Sequence, residues 1–194
     1  MTQRVQMLAV GCGPFNLSLA AMATRVNGMS FAALDANPEF SWHRGLMLDY
    51  ATLQDGILAD LVSLVDPTHQ LSFLAYLHER DRMYPFYIRE RFHITRREYE
   101  DYLRWAVAKL ETVHFGHRVK EVRWSAPSAC FVVAVERSDG ASLVWEAENL
   151  TLGVGTAPFV PECLRGISEV RTSHTSAYLN NVDAMMRSDQ VTVV

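Results

Sequence analysis

Apolar and polar positions along this chain follow two periods, and the change between them organises it. Val5 to Val10 is an apolar run cut off by Gly11, and it predicts a buried strand. Asn16 to Asn27 reads as a helix, with Gly28 placed to end it. Ser30-Phe31-Ala32-Ala33-Leu34 predicts a second strand, closed by Asp35. Residues 36–70 lose the pattern and are punctuated by Asn37-Pro38 and Asp66-Pro67, with a short helix over Ile57–Val65. Leu71, Leu74 and Leu77 mark a helix over 71–79. The strongest helix covers 96–110. Thr95 and Glu98 form a capping-box pair, and Tyr99, Tyr102, Leu103, Ala106, Val107 and Leu110 recur on one face, with Trp105 a further core candidate.

From Thr112 the period becomes two. Strands are expected at 113–115, 118–124, 130–136, 142–148 and 150–154, with Ser138-Asp139-Gly140 turning one hairpin. Val191 to Val194 has the pattern of one more strand. The order is β-α-β, helices, a β-meander, a return strand and the start of a new unit. It fits an α/β fold: a Rossmann-like FAD-binding domain with an inserted antiparallel β-meander, of the two-dinucleotide flavoprotein type. The expected division is residues 1–189 for the FAD-binding part and 190–194 for the first strand of an NADPH-binding domain, before which the chain is truncated.

Composition bounds the reading. The chain has 194 residues, 49% hydrophobic and 21% charged, enough for one domain with a core. A net charge of −4 gives no reason to expect nucleic acid. The arginine-rich stretch (Arg80, Arg82, Arg89, Arg91, Arg96, Arg97, Arg104) is interleaved with Glu79, Asp81, Glu90, Glu98, Glu100 and Asp101, so it reads as a salt-bridged face. Cys12, Cys130 and Cys163 have neither disulfide nor metal spacing, and no metal site is expected. Cys12 reads as a small filler. No apolar run reaches membrane-spanning length, and Gly11 interrupts what could resemble a leader. A reducing, cytoplasmic setting without a membrane partner is expected.

The chemistry is concentrated in Ala9-Val10-Gly11-Cys12-Gly13-Pro14. Gly11 permits a tight turn out of the strand, and Gly13 lets a pyrophosphate approach the backbone at the following helix N-terminus. Asn16 stands where the fingerprint asks for Gly or Ala, so the motif alone is incomplete. Asp35, 22 residues after Gly13, is placed to take the ribose hydroxyls of an adenosine. Its charge would repel the extra phosphate of NADP, so the site favours FAD or NAD. Gly153-Val154-Gly155-Thr156-Ala157-Pro158 suggests backbone packed closely against something, the dinucleotide or simply a turn.

Beyond these readings the chain resembles the N-hydroxylating flavoprotein monooxygenases of siderophore biosynthesis, which act on lysine, ornithine or a diamine. The matching stretches are 11–20, Asn-Pro-Glu-Phe-Ser-Trp-His at 37–43, Ala-Thr-Leu-Gln at 51–54, 60–68, 72–77, Arg-Arg-Glu-Tyr-Glu-Asp-Tyr-Leu-Arg-Trp at 96–105, 153–158 and Ser-His-Thr-Ser-Ala-Tyr-Leu at 173–179. Asn16 also fits that family. The resemblance implies that NADPH reduces FAD, that oxygen adds to give a C4a-hydroperoxyflavin, and that a neutral primary amine attacks its distal oxygen. Water must be excluded and the amine pKa lowered. It implies FAD contacts from Gly11, Gly13, Pro14, Phe15, Asn16, Asp35, Trp42, His43, Gln54, Gly155 and Thr156, with His43 and Gln54 nearest the chemistry. His43 can be a stacked or hydrogen-bonded residue rather than an acid or base. Gln54 can bond the flavin or its oxygen adduct, or be a loop residue facing solvent. The full-length form is expected to be a homo-oligomer.

Two departures stand out. The amino-acid hydroxylases of that family read Gln-x-x-Phe-Leu-Lys-Asp, and their lysine pairs with the substrate carboxylate. Here the segment is Gln54-Asp55-Gly56-Ile57-Leu58-Ala59-Asp60. Without that cation a substrate carboxylate would be desolvated and unpaired, so a diamine such as putrescine or cadaverine is expected, with Asp55 a candidate for the distal ammonium or merely a loop acid. Second, Val194 precedes any NADPH-binding glycine turn, so the chain alone is expected to be an inactive FAD-binding fragment if it is not part of a longer enzyme. A flavin disulfide reductase would need a redox cysteine pair, which is missing. A Baeyer–Villiger or sulfur-oxidising monooxygenase would share the glycine turn but not Trp42-His43 or residues 96–105.

Overall fold

The computed structural model of the protein describes residues 2–164, 166–167 and 172–193. Its strands are β1 (Thr2–Val10), β2 (Phe31–Leu34), β3 (Val113–His114), β4 (His117–Ser125), β5 (Cys130–Arg137) and β6 (Ser142–Leu152). Its α-helices are α1 (Pro14–Ala23), α2 (Phe73–Glu79), α3 (Met83–Ile88), α4 (Arg96–Val107) and α5 (Tyr178–Met186). The strands form one six-stranded sheet in the order β3-β2-β1-β6-β5-β4. β3, β2, β1 and β6 run parallel; β6, β5 and β4 form an antiparallel meander.

The expected β-α-β opening, the helices near 71–79 and 96–110 and the meander are present, while α3 and α5 are additions the pattern did not announce. The meander, however, is not separate from the return strand. β6 is one continuous strand that pairs with β5 through Ser142–Ala147 on one edge and with β1 through Val144–Leu152 on the other. The pattern suggested a break near Asn149, a poor strand former. The structure carries the strand through it, and the Asn149 side-chain amide donates to the Gln6 carbonyl at 3.1 Å.

Other boundaries shift for local reasons. α1 ends at Ala23, not Asn27, because the Thr24 hydroxyl takes the Ala21 carbonyl at 2.7 Å. Gly28, at φ +76°, therefore turns the chain into β2 instead of capping the helix. Ile57–Val65 is not a helix; only Ile57–Ala59 makes a 3-10 turn. Asp60 then claims the next free N–H groups, accepting from Val62 at 2.9 Å, Ser63 at 2.6 Å and Phe73 at 2.6 Å. α4 ends at Val107. Its Thr95 hydroxyl accepts from the Glu98 N–H at 3.1 Å, but the Glu98 carboxylate turns to Arg82 at 2.7 Å, so only half of the capping box forms.

The main core lies between one sheet face and α1, α2 and α4, and includes Leu17, Ala33, Phe73, Leu77, Tyr102 and Leu103. A second cluster on Leu8, Leu34, Val133, Val135 and Trp145 joins the parallel and antiparallel halves. Residues 191–193 pair with no strand, and Val194 lies outside the described residues. Among the described residues no helix is long and apolar enough to cross a membrane.

Candidate functional site

β1, β2 and β6 end side by side, and the expected dinucleotide residues gather at those carboxyl ends. Gly11 needs to be glycine for two reasons. It sits at φ +88°, and a Cβ there would run into the Gly153 carbonyl. Gly153 faces the side chain of Asn16 just as closely, and its N–H donates to the Val10 carbonyl at 2.8 Å. The expected close packing at Gly153 is therefore real, and its partner is the glycine turn itself. Gly13 differs: nothing lies within 4 Å of where its Cβ would be. It is the N-cap of α1, with Pro14 at the first helical position and no side-chain cap. Among the described residues the N–H groups of Gly13, Phe15 and Asn16 have no protein acceptor. An uncapped helix start above an open glycine is what a pyrophosphate requires. Phe15, 89% exposed, stands outside the core beside it.

Asp35 is built into the same turn. One carboxylate oxygen accepts from the Cys12 N–H at 2.8 Å and the other from the Asn37 N–H at 2.8 Å. Each oxygen keeps a lone pair for another donor, so the ribose reading stays geometrically open. Cys12 is buried, and burial together with the Asp35 charge pushes its thiol pKa up to about 12. That makes it a filler and not a nucleophile. Gly155, at φ +74°, and Thr156 lie exposed beyond β6.

A second group collects at the N-terminus of α4. The Trp42 N–H donates to Glu100 at 3.2 Å, and its ring packs edge-on against Tyr99 at 5.2 Å and His43 at 5.0 Å. The Arg96 guanidinium lies 4.5 Å from the Trp42 ring centroid. Its Nε is buried and, among the described residues, has no acceptor. His43 adopts a left-handed backbone at φ 49° and lies on the accessible side of this cluster. Partial burial, then the Arg96 charge, lowers its pKa and keeps the ring neutral near pH 7. Gly45 is covered by the backbone at Ser176, so the 173–179 stretch docks onto the Trp42–His43 turn.

The loop carrying Gln54, Asp55 and Ala59 is held against the chain that leads into α4. Leu53 N–H donates to Ile94 at 2.8 Å, Ile57 to Phe92 at 3.1 Å, and Arg96 to Ala51 at 2.8 Å. Gln54 and Asp55 are exposed, and among the described residues neither side chain makes a hydrogen bond. Ala59, also exposed, rims a small pit with Ile57, Asp60, Phe73, Ile94 and Tyr99. Below it Tyr102 donates to the Leu71 carbonyl at 2.7 Å and accepts from the Leu61 N–H at 3.2 Å.

The sequence model of the L-lysine 6-monooxygenase/L-ornithine 5-monooxygenase family matches residues 3–194. The chain belongs to this family. It is 39% identical over 188 residues to the rhizobactin siderophore biosynthesis protein RhbE of Rhizobium meliloti (strain 1021), covering 97% of this chain and 41% of that protein. It is 35% identical over 189 residues to a putrescine N-hydroxylase of Shewanella oneidensis, covering 97% of this chain and 38% of that one. The FAD-bound crystal structure of DfoA, the cadaverine monooxygenase of desferrioxamine biosynthesis from Erwinia amylovora, superposes with a TM-score of 0.92 at 36% identity, over 95% of this chain and 43% of that one. The chain thus spans about two-fifths of the length of these relatives.

Arg96 was not among the residues expected at the site, although it packs on Trp42. Its position at the start of α4 gave it the look of a surface charge. Among the described residues it has no carboxylate partner, where its neighbours Arg97 and Arg104 have theirs, at 2.6 Å from Asp49 and 3.1 Å from Glu100.

Proposed function

We propose that this chain forms the FAD-binding front of an enzyme that hydroxylates the nitrogen of a small primary amine, a diamine in preference to an amino acid, in siderophore biosynthesis. The carrying observation is the turn at the end of β1: an open Gly13, three N–H groups without acceptors, and Asp35 beside them. FAD, once reduced by NADPH, supplies the oxygen activation. The residues of this chain bind and orient it. Gly13 and the α1 N-terminus take the pyrophosphate, Asp35 the ribose, and Trp42, His43 and Gln54 flank the isoalloxazine, with Gly155 and Thr156 closing from the β6 side. N-hydroxylation belongs to the protein with the additional length its relatives possess; FAD binding is proposed for this stretch.

The preference for a diamine rests on the exposed segment 54–60, which contains no cation and one unpaired acid, Asp55. A substrate carboxylate would find no partner there, whereas a second ammonium would find Asp55. The names of the putrescine and cadaverine relatives are consistent with this. The test is hydroxylamine formation with NADPH by the FAD-loaded protein at the length of its relatives, offering putrescine, cadaverine, lysine and ornithine separately. Diamines should give the higher kcat/KM, and Ala59→Lys should move the ratio toward the amino acids by up to about fivefold, the scale of an exposed ion pair. Preference of the native enzyme for lysine or ornithine would end the diamine reading.

A further inference from the structure

We propose that the side chain of Asn16 positions the pyrophosphate turn: it fixes two successive peptide planes and does not itself touch the cofactor, which meets this residue only at its backbone N–H. This rests on the reading that FAD lies on that turn.

The hydrogen-bond inventory of Asn16 decides the matter. Its side chain is buried, at 4% exposure. A carboxamide has two N–H donors and one carbonyl acceptor. Nδ2 donates to the Gly11 carbonyl at 2.8 Å and the Val10 carbonyl at 3.2 Å, and Oδ1 accepts from the Thr151 hydroxyl at 3.3 Å. Both donors are spent on backbone oxygens, so none remains for a phosphate, and Oδ1 would repel one.

The same two peptide units are held from their other side. A trans peptide points its C=O and N–H in opposite directions. The peptide joining Val10 to Gly11 has its oxygen on Asn16 and its N–H on the Leu34 carbonyl at 2.7 Å. The peptide joining Gly11 to Cys12 has its oxygen on Asn16 and its N–H on Asp35 at 2.8 Å. With both planes clamped, the next free N–H groups, those of Gly13, Phe15 and Asn16, stand ready for the ligand before it arrives. Gly153 completes the device, because the space its Cβ would occupy is taken by the Asn16 amide. This explains an asparagine at the third fingerprint position and a glycine at the end of β6 as one complementary pair.

The experiment uses Asn16→Ala, Gly153→Ala and the double variant in the FAD-binding protein, with FAD titration, thermal melting and amide hydrogen exchange at Gly11 and Cys12 in the FAD-free protein. Asn16→Ala should weaken FAD binding and speed exchange at both amides, each by at least about tenfold, the scale of a lost buried hydrogen-bonded group. Gly153→Ala, which keeps Asn16 but pushes it aside, should do the same and should melt lower. The double variant should melt no lower than Asn16→Ala alone, since the collision has gone. Weakened FAD binding with unchanged exchange would mean a direct cofactor contact and would overturn the proposal, as would FAD affinity within about twofold of wild type. Additive melting losses in the double variant would overturn the pairing with Gly153. If Asn16→Ala does not fold, Gly153→Ala carries the same exchange and affinity tests. Failure of the wild-type protein to bind FAD would sink the cofactor reading alone, and the exchange and melting data would still decide whether Asn16 is a strut.

Discussion

His69 shows how a single side chain ties stability to pH. It is 1% exposed, its Nδ1 accepts from the Leu71 N–H at 3.0 Å, and its Nε2 lies 3.2 Å from both the Ala21 carbonyl and the Thr24 hydroxyl. That arrangement needs the neutral ring. Burial, then the nearby Arg25 charge, holds its pKa below the ordinary imidazole value of 6.5. The unfolded chain therefore binds the proton more readily, and the stabilisation is complete above 6.5 and lost as pH falls from there through the lower folded value. Melting temperature should be flat between about pH 7 and 8 and decline below that window. His69→Gln should lessen this decline without abolishing it, because His43 and His114 are lowered as well. An unchanged slope in the variant would remove His69 from the account. The cysteines make a second test. Cys12, with its pKa pushed up to about 12, and buried Cys130 should resist a maleimide in the native protein, while exposed Cys163 reacts. Mass spectrometry after labelling should find one adduct; two or more would contradict the burial.

Between the helices, Tyr102 on α4 is the hinge pin. Its ring packs on Phe73, Tyr76 and Trp105, while its hydroxyl joins the Leu61 N–H to the Leu71 carbonyl. Tyr102→Phe leaves the packing and strands both buried groups. A loss of about 1–3 kcal/mol is expected in urea unfolding, with an unchanged m-value. A shift below about 0.5 kcal/mol would mean that water replaces the hydroxyl. The edge strand β4 is protected by its own composition: Arg118, Lys120, Glu121 and Arg123 line it, and its register with β5 slips between Val119 and Glu121. The alternating pattern located this strand correctly. The slip was invisible in the sequence, since it depends on how β4 meets its partner.

At the scale of the whole molecule, β6 makes the parallel and antiparallel halves one sheet, and Trp145 at 4% exposure packs where they meet. Trp145→Ala should cost about 3–5 kcal/mol and lower a single cooperative transition seen alike by fluorescence and circular dichroism. Two separate transitions would show that the halves unfold independently. The sheet also brings the dinucleotide turn, Asp35 and Gly153 together, because β1, β2 and β6 lie side by side and end in register. The apolar stretches at 5–10 and 30–34 announced two of these ends. The third was expected as a separate return strand, and it is the far end of a strand that begins in the meander.

The sequence by itself determined the β-α-β opening, the helices at 71–79 and 96–110, the meander, the glycine turn with its acid at Asp35, and the family resemblance, because these rest on local period, turn chemistry and short-range spacing; α3 and α5 carried no such pattern. It also singled out Ala59, since a missing cation is a matter of residue type. Tertiary structure decided what each polar group does. The carboxylate of Asp35 and the amide of Asn16 find their partners across the turn and on β6; Glu98 leaves the capping box for Arg82; Arg96 lies over Trp42 without a carboxylate. Hydrogen bonds and ion pairs between distant segments are selected by which groups the packed backbone leaves within reach, and no periodicity along the chain records that.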